Sequence, residues 1–124
     1  MTIHLGAISL DCDDPSALGA FWAGLLDGEV IVSRRSLSVV RLPDGFLVTA
    51  MRVEPYVAPT WPEGEVPKQI HLDVAVDDLS AAEARAIALG AVHTSVQPDP
   101  PSHTVMLDPA GHPFCLSRSE NFPT

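Results

Sequence analysis

The stretch Ile70-His71-Leu72-Asp73-Val74-Ala75-Val76-Asp77-Asp78 decides the reading of this chain, because Gly6-Ala7-Ile8-Ser9-Leu10-Asp11-Cys12-Asp13-Asp14 answers it position by position, Asp14 falling on Asp78. In the later copy Ile70, Leu72, Val74 and Val76 alternate with smaller or polar side chains, the period-two signature of a strand with one buried face. In the earlier copy Ile8, Leu10 and Cys12 fall on the matching positions. The strands are expected over 4–12 and 68–76.

Each strand runs into a paired aspartate and then a helical pattern. Asp14 can accept from the exposed amides of a first turn and Pro15 suits the first helical position. Leu18, Phe21, Trp22 and Leu25 make the apolar stripe, and Gly28 is expected to end the helix in a left-handed conformation. In the second copy Ser80-Ala81-Ala82-Glu83 has the spacing of a capping box, Ala84, Ile87 and Ala88 are expected to face the core, and Gly90 ends the helix. Three β-prone runs follow each helix: 29–33, 37–42 and 46–53 in the first copy, 92–96, 104–107 and 114–117 in the second. The turns Pro43-Asp44-Gly45 and Pro109-Ala110-Gly111 hold the same place in the two copies, with a slight change of step between strand and turn. A whole-fold repeat has to preserve its inward-facing positions, and this one does. The expectation is an α+β fold of one domain, 1–124. Two βαβββ modules, about 1–53 and 68–124, form a curved mixed sheet around a shared cleft. The four prolines of 54–67 make a semi-rigid connector that cannot ladder.

Sixteen acidic residues against seven basic give a net charge of −9, which disfavours nucleic acid and anionic membranes as partners. No apolar run approaches the roughly 20 residues of a bilayer span, and the N-terminus shows no basic region before an apolar stretch, so a cytoplasmic location is expected. Cys12 and Cys115 sit in separate strand-like runs without a Cys-x-x-Cys pair, which points to two buried, reduced thiols.

With these residues in place the sequence resembles the vicinal oxygen chelate superfamily, which includes glyoxalase I, bleomycin-resistance proteins and extradiol dioxygenases. The resemblance is carried by 70–78, by Ala88-Leu89-Gly90-Ala91, by Asp108-Pro109-Ala110-Gly111-His112-Pro113-Phe114, and by 10–15 with Ala20-Phe21-Trp22. Thr60-Trp61-Pro62 ahead of His71 is similar to a glyoxalase-like subgroup. The resemblance implies paired βαβββ modules, a homodimer, and one divalent metal held from the first and last strands of each module. Position by position, that quartet falls on Ala7, Thr49, His71 and Cys115. Alanine has no ligand atom and threonine is a poor neutral one, so the metal site reads as incomplete.

His71 is the candidate metal ligand. It could equally act as a general base or a donor to a bound molecule, or be a histidine braced by Asp73. Asp73 shares its face. Cys115 reads as a small buried hydrophobe, with a thiolate ligand as the alternative. Asp11 lines the cleft or meets solvent at its rim, and Trp61 lids the cleft or covers a sheet edge. His103 and His112 could complete a metal set, whereas turn and strand-end histidines usually sit at the surface; His4 is expected to fray. The expected function is binding of a small organic ligand among His71, Asp73, Cys115, Asp11 and Trp61, with no cofactor. The alternatives are a metal-dependent lyase, isomerase or dioxygenase using His71, and a non-catalytic interaction domain.

Overall fold

Asp14 opens the first helix as its spacing requires: its side chain accepts from the Ala17 amide at 3.1 Å, and Pro15 follows as the first helical residue. This and all other structural statements come from a computed structural model that describes residues 2–61, 64, 70–98 and 102–123. The chain divides into two compact units, Met1–Val57 and Ala58–Thr124. The division falls within the stretch expected as the connector, of which 62, 63 and 65–67 lie outside the described residues.

The first unit runs β1 (Ala7–Cys12), α1 (Pro15–Leu25), β2 (Glu29–Ser33), β3 (Leu37–Arg41) and β4 (Leu47–Arg52). Its four-stranded sheet has the order β1-β4-β3-β2, with β1 and β4 parallel and the other pairs antiparallel. Helix α1 packs over β2, β3 and β4. Its buried residues are Pro15, Leu18, Gly19, Phe21 and Trp22, so Leu18, Phe21 and Trp22 of the expected stripe are buried and Leu25 is only half-buried. A Cβ on Gly19 would stand 2.8 Å from that of Ser38, so glycine is what lets the helix approach β3. The helix stop departs from expectation. Asp27, not Gly28, takes the left-handed conformation at φ 54°, a region that Asp visits more readily than most residues. The Gly28 amide donates to Ala23 O at 2.9 Å. Gly28 is required for space, since a Cβ there would meet Val40 Cγ1 at 2.8 Å and Arg41 O at 3.0 Å.

The second unit repeats this order: β5 (Leu72–Val76), α2 (Leu79–Leu89), β6 (Val92–His93), β7 (His103–Leu107) and β8 (Pro113–Arg118), in a sheet β5-β8-β7-β6 with β5 and β8 parallel. The two βαβββ modules therefore stand as expected, each with its own four-stranded mixed sheet. The match extends to single hydrogen bonds. In one turn Leu42 N–H donates to Phe46 O and Gly45 N–H to Leu42 O; in the other, Asp108 N–H donates to His112 O and Gly111 N–H to Asp108 O. Donors and acceptors correspond one for one under the repeat, and Gly45 and Gly111 share the left-handed region at φ 92° and 85°.

Several expectations for the second module are corrected. Asp78 is the N-cap of α2, accepting from the Ala81 amide at 3.0 Å, so Ser80 lies inside the helix and forms no capping box. Ala86 is fully buried with Leu79, Ala82, Glu83 and Leu89 partly covered, whereas Ile87 is 53% exposed and Ala84 and Ala88 are exposed. With its apolar side made mostly of alanines, the stripe could be drawn on two faces, and packing on β7 and β8 selects that of Ala86. Ile70, expected on the core face, is 81% exposed because β5 begins only at Leu72; Lys68 and Gln69 lie outside the described residues. Likewise His4, Leu5 and Gly6 precede β1 and are exposed.

Strand β6 is two residues long, shorter than the expected run 92–96, and side chains replace the missing ladder. Gln97 Oε1 accepts from the Val105 amide at 2.8 Å and its Nε2 donates to Val105 O at 2.7 Å, so one side-chain amide performs both functions of a paired backbone. Thr94 Oγ1 also donates to Val105 O, at 3.1 Å.

Candidate functional site

His71 enters at the threshold of β5 and Asp73 lies two positions on, so the period of an extended chain puts both side chains on one side. Register adds the third residue: in the parallel pair of β5 with β8, Asp73 is the Cα partner of Cys115. The nitrogen, oxygen and sulfur of His71, Asp73 and Cys115 all lie within 4.8 Å of one another, and His71 Nε2 is 3.3 Å from Asp73 Oδ1. This is the one such group of three or more His, Cys, Asp or Glu side chains among the described residues. Its exposure is graded. Cys115 is buried, His71 half-buried, and Asp73 open to solvent on one side.

The donor set suits a first-row metal of the zinc class. Bond lengths of about 2.0–2.3 Å to nitrogen, oxygen and sulfur give ligand–ligand separations of roughly 3.3–3.8 Å in a tetrahedron. The His71–Asp73 separation already has that value. A thiolate beside an imidazole favours zinc over magnesium or manganese. Three protein ligands would leave one coordination position for a small molecule.

Of the expected cleft residues, the structure thus brings together His71, Asp73 and Cys115. Asp11 is exposed on β1 of the first module, opposite Met51 in register, and Trp61 is half-buried ahead of β5. His103 does not join the group; its Nδ1 is 2.8 Å from Ser102 Oγ. His112 donates its backbone amide to Asp108 Oδ1 at 2.9 Å, a turn role. Cys12 and Cys115 are both buried and form no disulfide, and Cys12 Sγ donates to Met51 O at 3.5 Å. Sequence reasoning missed a second polar cluster, in which Thr104 Oγ1 donates to Glu83 Oε1 and His93 Nε2 lies 4.0 Å from the same carboxylate. No local spacing links Glu83 to Thr104, so only the packing of α2 on β7 reveals it.

Among the described residues, the first module carries no counterpart of this donor group. Ser9 is the register partner of Thr49, in the same strand pair that joins Asp73 to Cys115 in the second. The residues equivalent to His71, Asp73 and Cys115 are therefore Ala7, Ser9 and Thr49, which offer two neutral hydroxyls and no strong ligand.

The model of the glyoxalase-like domain family matches residues 7–117. No curated protein matches the chain. Among solved structures, a glyoxalase-related enzyme from Fulvimarina pelagi is similar at a TM-score of 0.68 and 15% identity, over 97% of this chain and 91% of that one. A glyoxalase/bleomycin resistance protein/dioxygenase family enzyme from Burkholderia phytofirmans aligns at 0.69 and 17% identity, over 92% and 97%. A fosfomycin resistance protein, FosX, from Listeria monocytogenes, in complex with Mn(II) and 1S,2S-dihydroxypropylphosphonic acid, aligns at 0.66 and 20% identity, over 94% and 90%. At these identities the likeness establishes the fold.

Proposed function

The chain belongs to the glyoxalase-like domain family, and from that premise we propose that it binds a small, oxygen-bearing organic molecule at a site built on His71, Asp73 and Cys115. The convergence within 4.8 Å of three different donor atoms, from His71 just ahead of β5, Asp73 on β5 and Cys115 on β8, carries this reading. A divalent metal of the zinc class fits these residues and, when bound, would polarise an oxygen of the ligand. His71 would supply the neutral nitrogen, Cys115 the thiolate, and Asp73 the carboxylate. The buried Cys115 anchors the set from beneath, and the more open Asp73 and His71 face the incoming molecule. Asp11 and Trp61 are proposed as further contacts to the ligand, and a homodimer is proposed from the family resemblance.

Binding without turnover is favoured over catalysis because the equivalent positions Ala7, Ser9 and Thr49 bring no second set of ligands. The competing reading, a metal-dependent lyase, isomerase or dioxygenase, draws on the same three donors with their open position.

The test is divalent metal content by plasma mass spectrometry on untagged protein, after exposure to zinc, nickel, manganese and ferrous iron in turn. About one zinc per chain, lost in His71→Ala and Cys115→Ser, is the expected result. Absence of stoichiometric metal under every condition would overturn the metal-holding reading. Turnover of a vicinal-oxygen substrate by the zinc-loaded protein would move it to the enzyme reading.

A further inference from the structure

The first module carries a concentration of positive charge that the chemistry of the second does not use. Of the seven basic residues in this acidic chain, Arg34, Arg35 and Arg52 line one open groove of about 470 Å³ with Ser36 and Glu54. Arg34, Arg35 and Ser36 form the bend between β2 and β3, and Arg52 ends β4. Backbone bonds fix the bend against the strand: Arg52 N–H donates to Ser36 O at 3.0 Å and Arg34 N–H to Leu37 O at 2.8 Å. The one carboxylate lining the groove, Glu54, is 3.5 Å from Arg52 Nη1 and its side chain is 77% exposed. An ion pair so exposed contributes at most about 1 kcal/mol, so it is readily exchanged.

The repeat shows that the fold does not demand this charge. Under the alignment that carries Gly45 onto Gly111, Ser36 corresponds to Ser102 and Arg52 to Arg118, but Arg34 and Arg35 correspond in sequence to Pro100 and Pro101. The groove at Arg118 is lined by Asp77 and Glu120 instead. Three guanidinium groups against one loosely held carboxylate leave a local excess of positive charge, and the guanidinium fork matches an oxyanion with two parallel hydrogen bonds.

We propose that this groove binds a dianionic oxyanion of the phosphate class, held by Arg35 and Arg52 with Arg34 and Ser36 at its edge, and that Glu54 competes with it for Arg52. The proposal does not rest on the His71 site. It is tested by titrating the isotope-labelled full chain at low ionic strength with inorganic phosphate and, separately, with glycerol 3-phosphate, following backbone amide resonances. Saturable shifts centred on Arg35, Ser36 and Arg52 are expected with at least one of the two. Tighter binding of the ester assigns an organic phosphate, and equal binding assigns the phosphate group alone. Arg35→Gln and Arg52→Gln should each weaken binding roughly tenfold or more, as loss of a charge-assisted pair would. Glu54→Gln should tighten it, and Arg85→Gln on α2 should leave it unchanged. Shifts that fail to saturate with either ligand would overturn the proposal. So would equal weakening by Arg85→Gln and Arg35→Gln, which would reveal diffuse screening rather than a site.

Discussion

Asp73 and Cys115 are register partners across the parallel strands β5 and β8, and Ser9 and Thr49 hold the same relation across β1 and β4. One backbone arrangement, used twice, carries a nitrogen–oxygen–sulfur donor set in one module and two hydroxyls in the other. The repeated backbone supplies the geometry, and side-chain identity separates the strand pair that carries the donor group from the one that does not.

Cobalt binding follows from that pairing. Cobalt(II) added to the protein should give a thiolate charge-transfer band, which Cys115→Ser abolishes because serine has no sulfur. Asp73→Asn should retain the band and weaken affinity by roughly tenfold or more, since an amide is a poorer ligand than a carboxylate. Absorption spectroscopy decides the matter: a band that persists in Cys115→Ser would remove Cys115 from the ligand set.

The two sides of α2 should respond in opposite ways. Ile87→Lys replaces a side chain that is 53% exposed and should change stability by no more than about 0.5 kcal/mol. Ala86→Leu forces a bulkier side chain into a fully buried position and should cost about 1–3 kcal/mol. Urea denaturation of both variants compares them directly, and a large loss in Ile87→Lys would contradict the observed helix orientation.

Asp108 holds the turn before β8. It is 3% exposed, and its Oδ1 accepts from the amides of Ala110 and His112, both at 2.9 Å. Asp108→Ala strips both donors of their partner and should cost about 1–3 kcal/mol, whereas Asp108→Asn keeps an acceptor and should cost less. Denaturation midpoints of the two variants provide the comparison.

Gln97 substitutes for a strand, which hydrogen exchange can detect. In Gln97→Ala the Val105 amide loses its acceptor at 2.8 Å and should exchange faster, while the amides of β1 to β4 keep their protection. Stability should fall by about 1–3 kcal/mol. Unchanged exchange at Val105 would show that the side-chain ladder is dispensable.

These contacts differ in how far they could be read in advance. The position of Asp14, the stripe of Leu18, Phe21 and Trp22, the strand at 29–33 and the glycine turns were legible, because each depends on residues a few positions apart. The helix starting at Leu79 was legible in place but not in orientation, since its alanines mark no face strongly enough. His71, Asp73 and Cys115 were each identifiable as candidates for a cleft. Their approach to within 4.8 Å was not, because it depends on which residue of β8 stands beside Asp73.

By itself, then, the sequence determined the duplicated βαβββ order, the aspartate–helix junctions and the two matching turns. Alternation, capping and left-handed glycines are local, and each copy states them again. Only the tertiary structure decided that Gln97 would complete a ladder, that Ile87 would face solvent, and that Asp73 and Cys115, separated along the chain by a helix and two strands, would share one register. Strand register is a relation between distant segments, fixed by how the whole sheet packs, and no local pattern encodes it.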